Sequence, residues 1–150
     1  MASRSREEEE LRRLTVQLRF LEQTAETLQQ RISMLNAAMT DLTYANLTLD
    51  GVEKEKKNAE ILVPIGGSSY IQVKLANSDK VIVGLGAGVS AEKSLPEAKA
   101  LLKERLGELE KSMQAAQQQF VQVAERINAD RNRVEILLAA VRQGKALGNV

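Results

Sequence analysis

The chain has no cysteine, no histidine and no tryptophan, only two prolines, and aromatic residues make up 3% of its 150 positions. Without cysteine there is no disulfide framework, thiol nucleophile or thiolate metal site, a composition that suits a reducing cytoplasm. Without histidine there is no imidazole base, no H-E-x-x-H zinc site and no Ser-His-Asp triad. No catalytic residue, cofactor or metal site is therefore expected. The scarcity of aromatic residues leaves little material for one compact core and points to an elongated one. Neither sign of charge dominates, since 21 Lys and Arg face 20 Asp and Glu for a formal net charge of +1. Charges so interleaved predict no nucleic-acid partner. No apolar run approaches the ~18 residues of a membrane span, and the opening MASRSREEEE lacks the apolar segment of a secretory signal. A soluble, cytoplasmic protein without a membrane partner is expected.

What is present is a heptad pattern, twice. Apolar residues recur at alternating steps of three and four through Leu11, Leu14, Leu18, Leu21, Ala25, Leu28, Ile32, Leu35, Met39 and Leu42, then Asn46 and Leu49. A second seam runs through Leu102, Leu106, Leu109, Met113, Ala116, Phe120, Val123, Ile127, Asp130, Val134, Leu137 and Val141. Each seam has one polar interruption, Asn46 or Asp130. A sustained period of 3.5 with charged outer positions means a left-handed coiled coil, because such a seam drifts around a straight helix of 3.6 residues per turn. The pattern predicts helices of about 45 to 50 residues, roughly 70 Å each. Ser94, Pro96 and Glu97 form a capping box at the start of the second helix, and the first helix ends between Gly51 and Lys57. The boundaries are 7–57 and 95–146.

Between the helices, over 60–93, the period falls to two and β-branched residues take over. Ile61–Ile65, Tyr70–Leu75, Val81–Leu85 and Val89–Lys93 read as four strands. Turns at Gly66-Gly67-Ser68 and Gly86-Ala87-Gly88 make two hairpins, with Asn77-Ser78-Asp79 between them. In Tyr70–Leu75 the apolar Ile71, Val73 and Leu75 alternate with polar residues, so one face is expected to be buried. The glycines at 84, 86 and 88 lead into a strand, not a helix, and no G-K-[ST] follows, so hairpin turns explain them better than a phosphate loop. Two isolated hairpins are marginally stable and expose unpaired edges, which predicts pairing with other subunits. A strand segment that returns the chain to where it left makes the helices antiparallel, with Leu11 near Val134 and Leu14 near Asp130. The reading is a single α+β domain, a helical stalk on a sheet base.

The run ILVPIGGSSYIQVKL at Ile61–Leu75, followed by KVIVGLGAGVSAEKSLPEA at Lys80–Ala98, resembles the central signature of prefoldin alpha-type subunits of the archaeal kind. The V-P-I-G-G turn, the G-x-G-A-G-V turn and the E-K-S exit into a helix carry the likeness, and the flanking heptads extend it over nearly the whole chain. Beta-type subunits resemble this pattern with one hairpin, so two hairpins favour the alpha type. The resemblance implies a prefoldin fold: a long antiparallel two-helix coiled coil whose central pair of β-hairpins joins an oligomeric β-barrel base. It further implies a hexamer of two alpha-type and four beta-type subunits, ATP-independent capture of unfolded polypeptides at the coiled-coil tips, and transfer to a group II chaperonin.

Two sets of residues follow as candidates. Asp130 places a charge at a core position, which destabilises the seam unless paired, so the tip is expected to open and expose Leu11, Leu14, Val134, Leu137 and Val141. Val16, Phe20, Ile136 and Leu138 fall outside the seam and are expected to face water near the same tip, where exposed apolar groups grip unfolded chains without directional demands. For the oligomeric base the candidates are Ile61, Val63, Ile65, Ile71, Val73, Leu75, Val81, Val83 and Leu85. Glu7 to Glu10, and Arg131, Arg133, Arg142 and Lys145, complement the helix dipoles. Two alternatives remain: a filament-forming structural protein of the gamma-type prefoldin kind, and a coiled-coil adaptor for one folded partner.

Overall fold

The computed structural model describes residues 2–148, with side chains described through residue 144. The element order is α1 (Ala2–Glu53), β1 (Glu60–Gly66), β2 (Ser69–Lys74), β3 (Lys80–Gly86), β4 (Val89–Ser94) and α2 (Leu95–Gly148). All six elements sit where the periodicity places them. α1 begins at Ala2 instead of near residue 7 and ends at Glu53, passing through Gly51 without stopping. Asn58 then takes a positive φ of 64° and its N–H donates to the Leu75 carbonyl at 2.8 Å, steering the chain into β1. The start of α2 is capped as the sequence predicts, with the Glu97 N–H donating to the Ser94 hydroxyl at 3.3 Å.

The chain divides into two compact units. Met1–Asn36 and Ser112–Val150 make a helical unit, and Ala37–Lys111 makes a strand-bearing unit. In the helical unit every seam position is buried or half-buried, from Leu11, Leu14 and Leu28 on α1 to Met113, Ala116, Ile127 and Leu137 on α2. Polar residues predominate on the other faces, with a few exposed apolar side chains among them. Each fully buried Leu or Ile contributes about 1.5–3 kcal/mol relative to exposure, so this seam supplies most of the unit's cohesion.

In the strand-bearing unit β1 pairs with β2 and β3 with β4, both antiparallel, as two separate two-stranded sheets. The hairpins are copies of one another. Glu60 opposes Lys74 as Lys80 opposes Ser94, and the register slips between Pro64 and Gly66 as it does between Gly84 and Gly86. Both reverse through residues of positive φ, Gly67 and Ser68 in the first and Ala87 and Gly88 in the second. Two consecutive positive φ values make the turn whose twist matches a two-residue hairpin.

The two hairpins differ in what covers them. Val83 of β3 is 4% exposed and packs with Leu49, Leu95 and Ala98, flanked by Val81, Leu101 and Leu102. The Arg105 guanidinium also donates to the Gly84 carbonyl at 2.7 Å. By contrast Val63, Ile65 and Ile71 of the first hairpin are exposed, and Ile61, Val73 and Leu75 are only half-buried. The expectation of one buried face on the second strand is therefore not met within the chain, because a two-stranded ribbon has no second layer to cover it. Val83 belongs to the chain's own core and Val81 packs against it, unlike the other base candidates. Val83→Asp is expected to destabilise this chain itself by at least about 3 kcal/mol, the scale of an uncompensated buried charge. Thermal melting of the isolated chain measures it, and an unchanged midpoint overturns the packing role.

Candidate functional site

Within the helical unit the heptad assignment decides which side chains meet across the two helices. Glu10 of α1 and Arg133 of α2 both take position g, and Arg133 donates to the Glu10 carboxylate through Nε at 2.9 Å and a terminal nitrogen at 3.1 Å. Arg131 donates to Glu22 at 3.0 Å, both residues at position e. Pairs of g with g and e with e are those of antiparallel helices, and they join early residues of α1 to late residues of α2. Glu7 to Glu10 lie beyond the first turn because α1 starts at Ala2, so they are poorly placed for the helix dipole, whose effect fades within one turn. Glu10 instead serves the interhelical fork. Arg142 is exposed near the end of α2, and the Lys145 side chain lies outside the described residues.

The arginine fork shifts both partners. Hydrogen bonds from Arg133, reinforced by its charge and that of Arg13, hold the Glu10 carboxyl below the ordinary carboxylate range, and the same fork raises Arg133. In the strand-bearing unit Lys99 bridges Asp50, at 2.7 Å, and Glu53. The hydrogen bond to Asp50, followed by that to Glu53, raises Lys99, and the bond from Lys99 lowers Asp50.

Asp130 is the polar break in the second seam. It is 4% exposed, its Oδ1 lies 3.3 Å from Nε of Arg126, and its Oδ2 has no partner among the described residues. The Arg126 guanidinium also reaches the Gln17 amide oxygen at 3.2 Å, in the amide orientation that satisfies both groups. One carboxylate oxygen thus stays desolvated and unpaired in an otherwise apolar seam.

Around this seam the tip candidates divide into two groups. Leu14 and Leu137 are buried, Leu137 the most fully of any side chain in its size class, while Leu11, Val134 and Val141 are half-buried. These five form the closed seam, and Leu14 and Leu137 reach solvent only when the helices part. Val16 at 69%, Phe20 at 67%, Ile136 at 59% and Leu138 at 38% are exposed outside it. The heptad frame accounts for Val16, Phe20 and Ile136, since positions c and f point away from the partner helix, while Leu138 at e, on the flank of the seam, is the least exposed of the four. Sequence reasoning passed over Met34 on α1 and Val121 on α2, which are exposed in the same unit; their c and b positions were the available signal. It also passed over the fork from Arg133 to Glu10, whose g positions were legible but whose pairing the registration of the two helices decides. No group of three or more carboxylates converges as a metal site among the described residues, and no helix among them is long and apolar enough to cross a membrane.

Paired heptad helices flanking two duplicated hairpins can be compared with known proteins as a complete pattern. Residues 21–139 match the sequence profile of the family described as Prefoldin subunit. The chain belongs to the prefoldin family. Among its relatives in that family, the prefoldin subunit alpha of Methanosarcina barkeri is 34% identical over 134 residues, 85% of this chain and 93% of the relative. The prefoldin subunit alpha of Nitrosopumilus maritimus is 33% identical over 135 residues, 81% of this chain and 93% of the relative. Two solved prefoldin structures share the fold. The filamentous prefoldin of Methanocaldococcus jannaschii superposes with a TM-score of 0.64 at 24% identity, covering 75% of this chain and 93% of that one. The prefoldin beta subunit of Thermococcus strain KS-1 gives 0.56 at 17% identity, covering 88% of this chain and 92% of that one. The α+β prefoldin fold is thus shown by sequence and structure together, and the family is one of chaperone subunits.

Two measurements follow from the electrostatics of the helical unit. Asp130→Leu is expected to stabilise the seam by about 1–4 kcal/mol, as replacing a buried charged group by an apolar one of similar volume does. A raised denaturant midpoint with unchanged slope confirms it, whereas a lowered one overturns the account of Asp130 as a weak point. The Glu10 carboxyl has a depressed folded pKa, so its stabilising effect is present above the ordinary carboxylate pKa of about 4.3 and is lost as pH falls through the lower folded value. Protection of the amides across the first turns of α1, taken relative to the intrinsic exchange rate at each pH, is therefore expected to fall on acidification in the wild type. The Glu10→Gln variant should show a smaller acid response, and equal responses in the two proteins overturn the role of the fork.

Proposed function

We propose that this chain is the alpha-type subunit of a hetero-oligomeric, ATP-independent holdase that binds unfolded polypeptides through its helical unit and passes them to a group II chaperonin in the cytoplasm. The observation that carries the reading is the set of large apolar side chains left in water beside the seam: Val16, Phe20, Ile136 and Leu138. Exposed apolar groups on long helices offer burial worth about 25 cal/mol per Å² without demanding a particular hydrogen-bond pattern from the client. A weak, general grip follows. Leu11, Leu14, Val134, Leu137 and Val141 enlarge that surface when the helices separate, and the unpaired oxygen of Asp130 lowers the work of separation.

Assembly falls to the strands. Ile61, Val63, Ile65, Ile71, Val73, Leu75 and Leu85 are half-buried or exposed, and the hairpins present unpaired edges that other subunits would continue. Beta-type prefoldin subunits are the natural partners of an alpha-type chain, in a hexamer of two alpha and four beta. Val83 and Val81 support this arrangement indirectly, by anchoring the second hairpin to the helices beneath it.

The test replaces Phe20, Ile136 and Leu138 together by Ser in the chain purified with a beta-type subunit. Aggregation of several unrelated denatured proteins is followed without ATP, alongside oligomeric mass. The expected result is strong suppression by the wild type, a several-fold loss in the variant and unchanged mass. No suppression by the wild type with any partner overturns the holdase reading. A homogeneous long filament of the chain alone favours the structural alternative that the filamentous relative brings to mind, and tight binding to one native protein favours an adaptor.

A further inference from the structure

Cationic residues are sorted by type along this chain. Every arginine except Arg105 lies in the helical unit, and every lysine except Lys145 lies in the strand-bearing unit. The two are not equivalent. A guanidinium presents a planar fork to carboxylates and stacks on aromatic faces, whereas an ammonium is a strongly hydrated point charge.

The sorting matters most between Glu10 and Glu22 of α1. The intervening stretch carries Arg12, Arg13 and Arg19 and no carboxylate. The two glutamates that bracket it are both engaged by α2, Glu10 by Arg133 and Glu22 by Arg131. Arg13 lies beside Glu9 and Glu10, and its charge helps lower the Glu10 carboxyl. Arg12 and Arg19 are exposed and make no ion pair among the described residues. Both take heptad position b, on the outward side of α1, and Val16 and Phe20 stand between and beside them at f and c. One exposed face therefore alternates unpaired guanidinium with exposed apolar and aromatic surface, in the order Arg12, Val16, Arg19, Phe20.

We propose that this face of α1 selects among unfolded polypeptides, favouring segments in which acidic residues alternate with aromatic or aliphatic ones. The inference rests on the holdase reading and assigns a client class to the same unit. Charge complementarity specifies the acidic component, since two cations that make no ion pair among the described residues attract carboxylates and repel lysine-rich segments. The guanidinium chemistry specifies the aromatic component, because arginine stacks on client rings while Phe20 and Val16 bury against them. A nucleic acid fits less well. The face carries two unpaired cations, few for the densely charged backbone of a polyanion.

Fluorescence anisotropy with two unstructured peptides tests this, each carrying the same Phe and Leu residues, with Glu at the polar positions of one and Lys at those of the other. The full chain, in complex with its beta-type partner, is expected to bind the acidic peptide about tenfold more tightly at low salt, equivalent to about 1.4 kcal/mol. The gap should narrow as salt screens the charges. Arg12→Gln with Arg19→Gln removes the preference. Arg12→Lys with Arg19→Lys keeps the charge but loses part of the affinity for the acidic peptide. Both sites are exposed, and circular dichroism melting verifies that the helices persist. A wild type that suppresses aggregation yet binds the two peptides alike overturns this inference and leaves the holdase standing. A preference that survives the Gln pair, a Lys pair that matches wild type, or displacement of the acidic peptide by single-stranded oligo-dT also overturns it. A wild type that neither suppresses aggregation nor binds either peptide removes the holdase reading as well.

Discussion

An apolar stripe that repeats every 3.5 residues along a helix has to be covered, and in the helical unit the cover among the described residues is the other helix. Leu14, Leu28, Met113, Ile127 and Leu137 are buried for that reason. The remaining features of the unit follow from the same constraint. Positions e and g come to flank the seam and place Glu10 against Arg133 and Glu22 against Arg131. Positions b, c and f are turned outward, and any apolar residue there, such as Phe20 or Val16, stays in water. Exposure of those residues is a consequence of the seam's geometry and requires no pocket to present them.

The seam also contains its own weakness. A carboxylate at a core position draws one partner, Arg126, from a neighbouring turn, and leaves its second oxygen enclosed. Asn46 in the strand-bearing unit has a similar enclosed oxygen without a partner, at an a position where a polar residue sets register at a cost in stability. Each seam thus has one layer where register or opening is favoured over cohesion. The electrostatic forks compensate only in part, being exposed pairs whose contribution is screened by salt.

In the strand-bearing unit the same hairpin is used twice in different settings. The turn geometry and register are repeated, yet the second hairpin is held by Val83, by Arg105 on the Gly84 carbonyl and by the Leu95 N–H on the Asp79 carbonyl. The first repeats the last of these, its Leu75 N–H donating to the Ala59 carbonyl at 2.9 Å, but exposes Val63 where the second buries Val83. A chain that buries one copy and leaves the other open has apolar strand surface available for partners, which accords with membership of a family of multi-subunit chaperones.

Elements, their order and their boundaries to within a few residues were legible in the sequence, because heptad spacing, period-two alternation and glycine turns are local signals. The capping of the start of α2 by Ser94 and the exposure of Phe20, Val16, Ile136 and Leu138 were legible for the same reason. Contacts between distant segments were not. That Val83 is core while Val63 is open depends on which hairpin reaches Leu49, Leu95 and Ala98, and identical strand patterns carry no record of it. That Glu10 pairs with Arg133, leaving Arg12 and Arg19 unpaired, depends on the registration of two antiparallel helices. Amino-acid order by itself determined what each segment is; only the tertiary structure decided which copy of a repeated pattern is covered, because burial belongs to pairs of surfaces and not to either one alone.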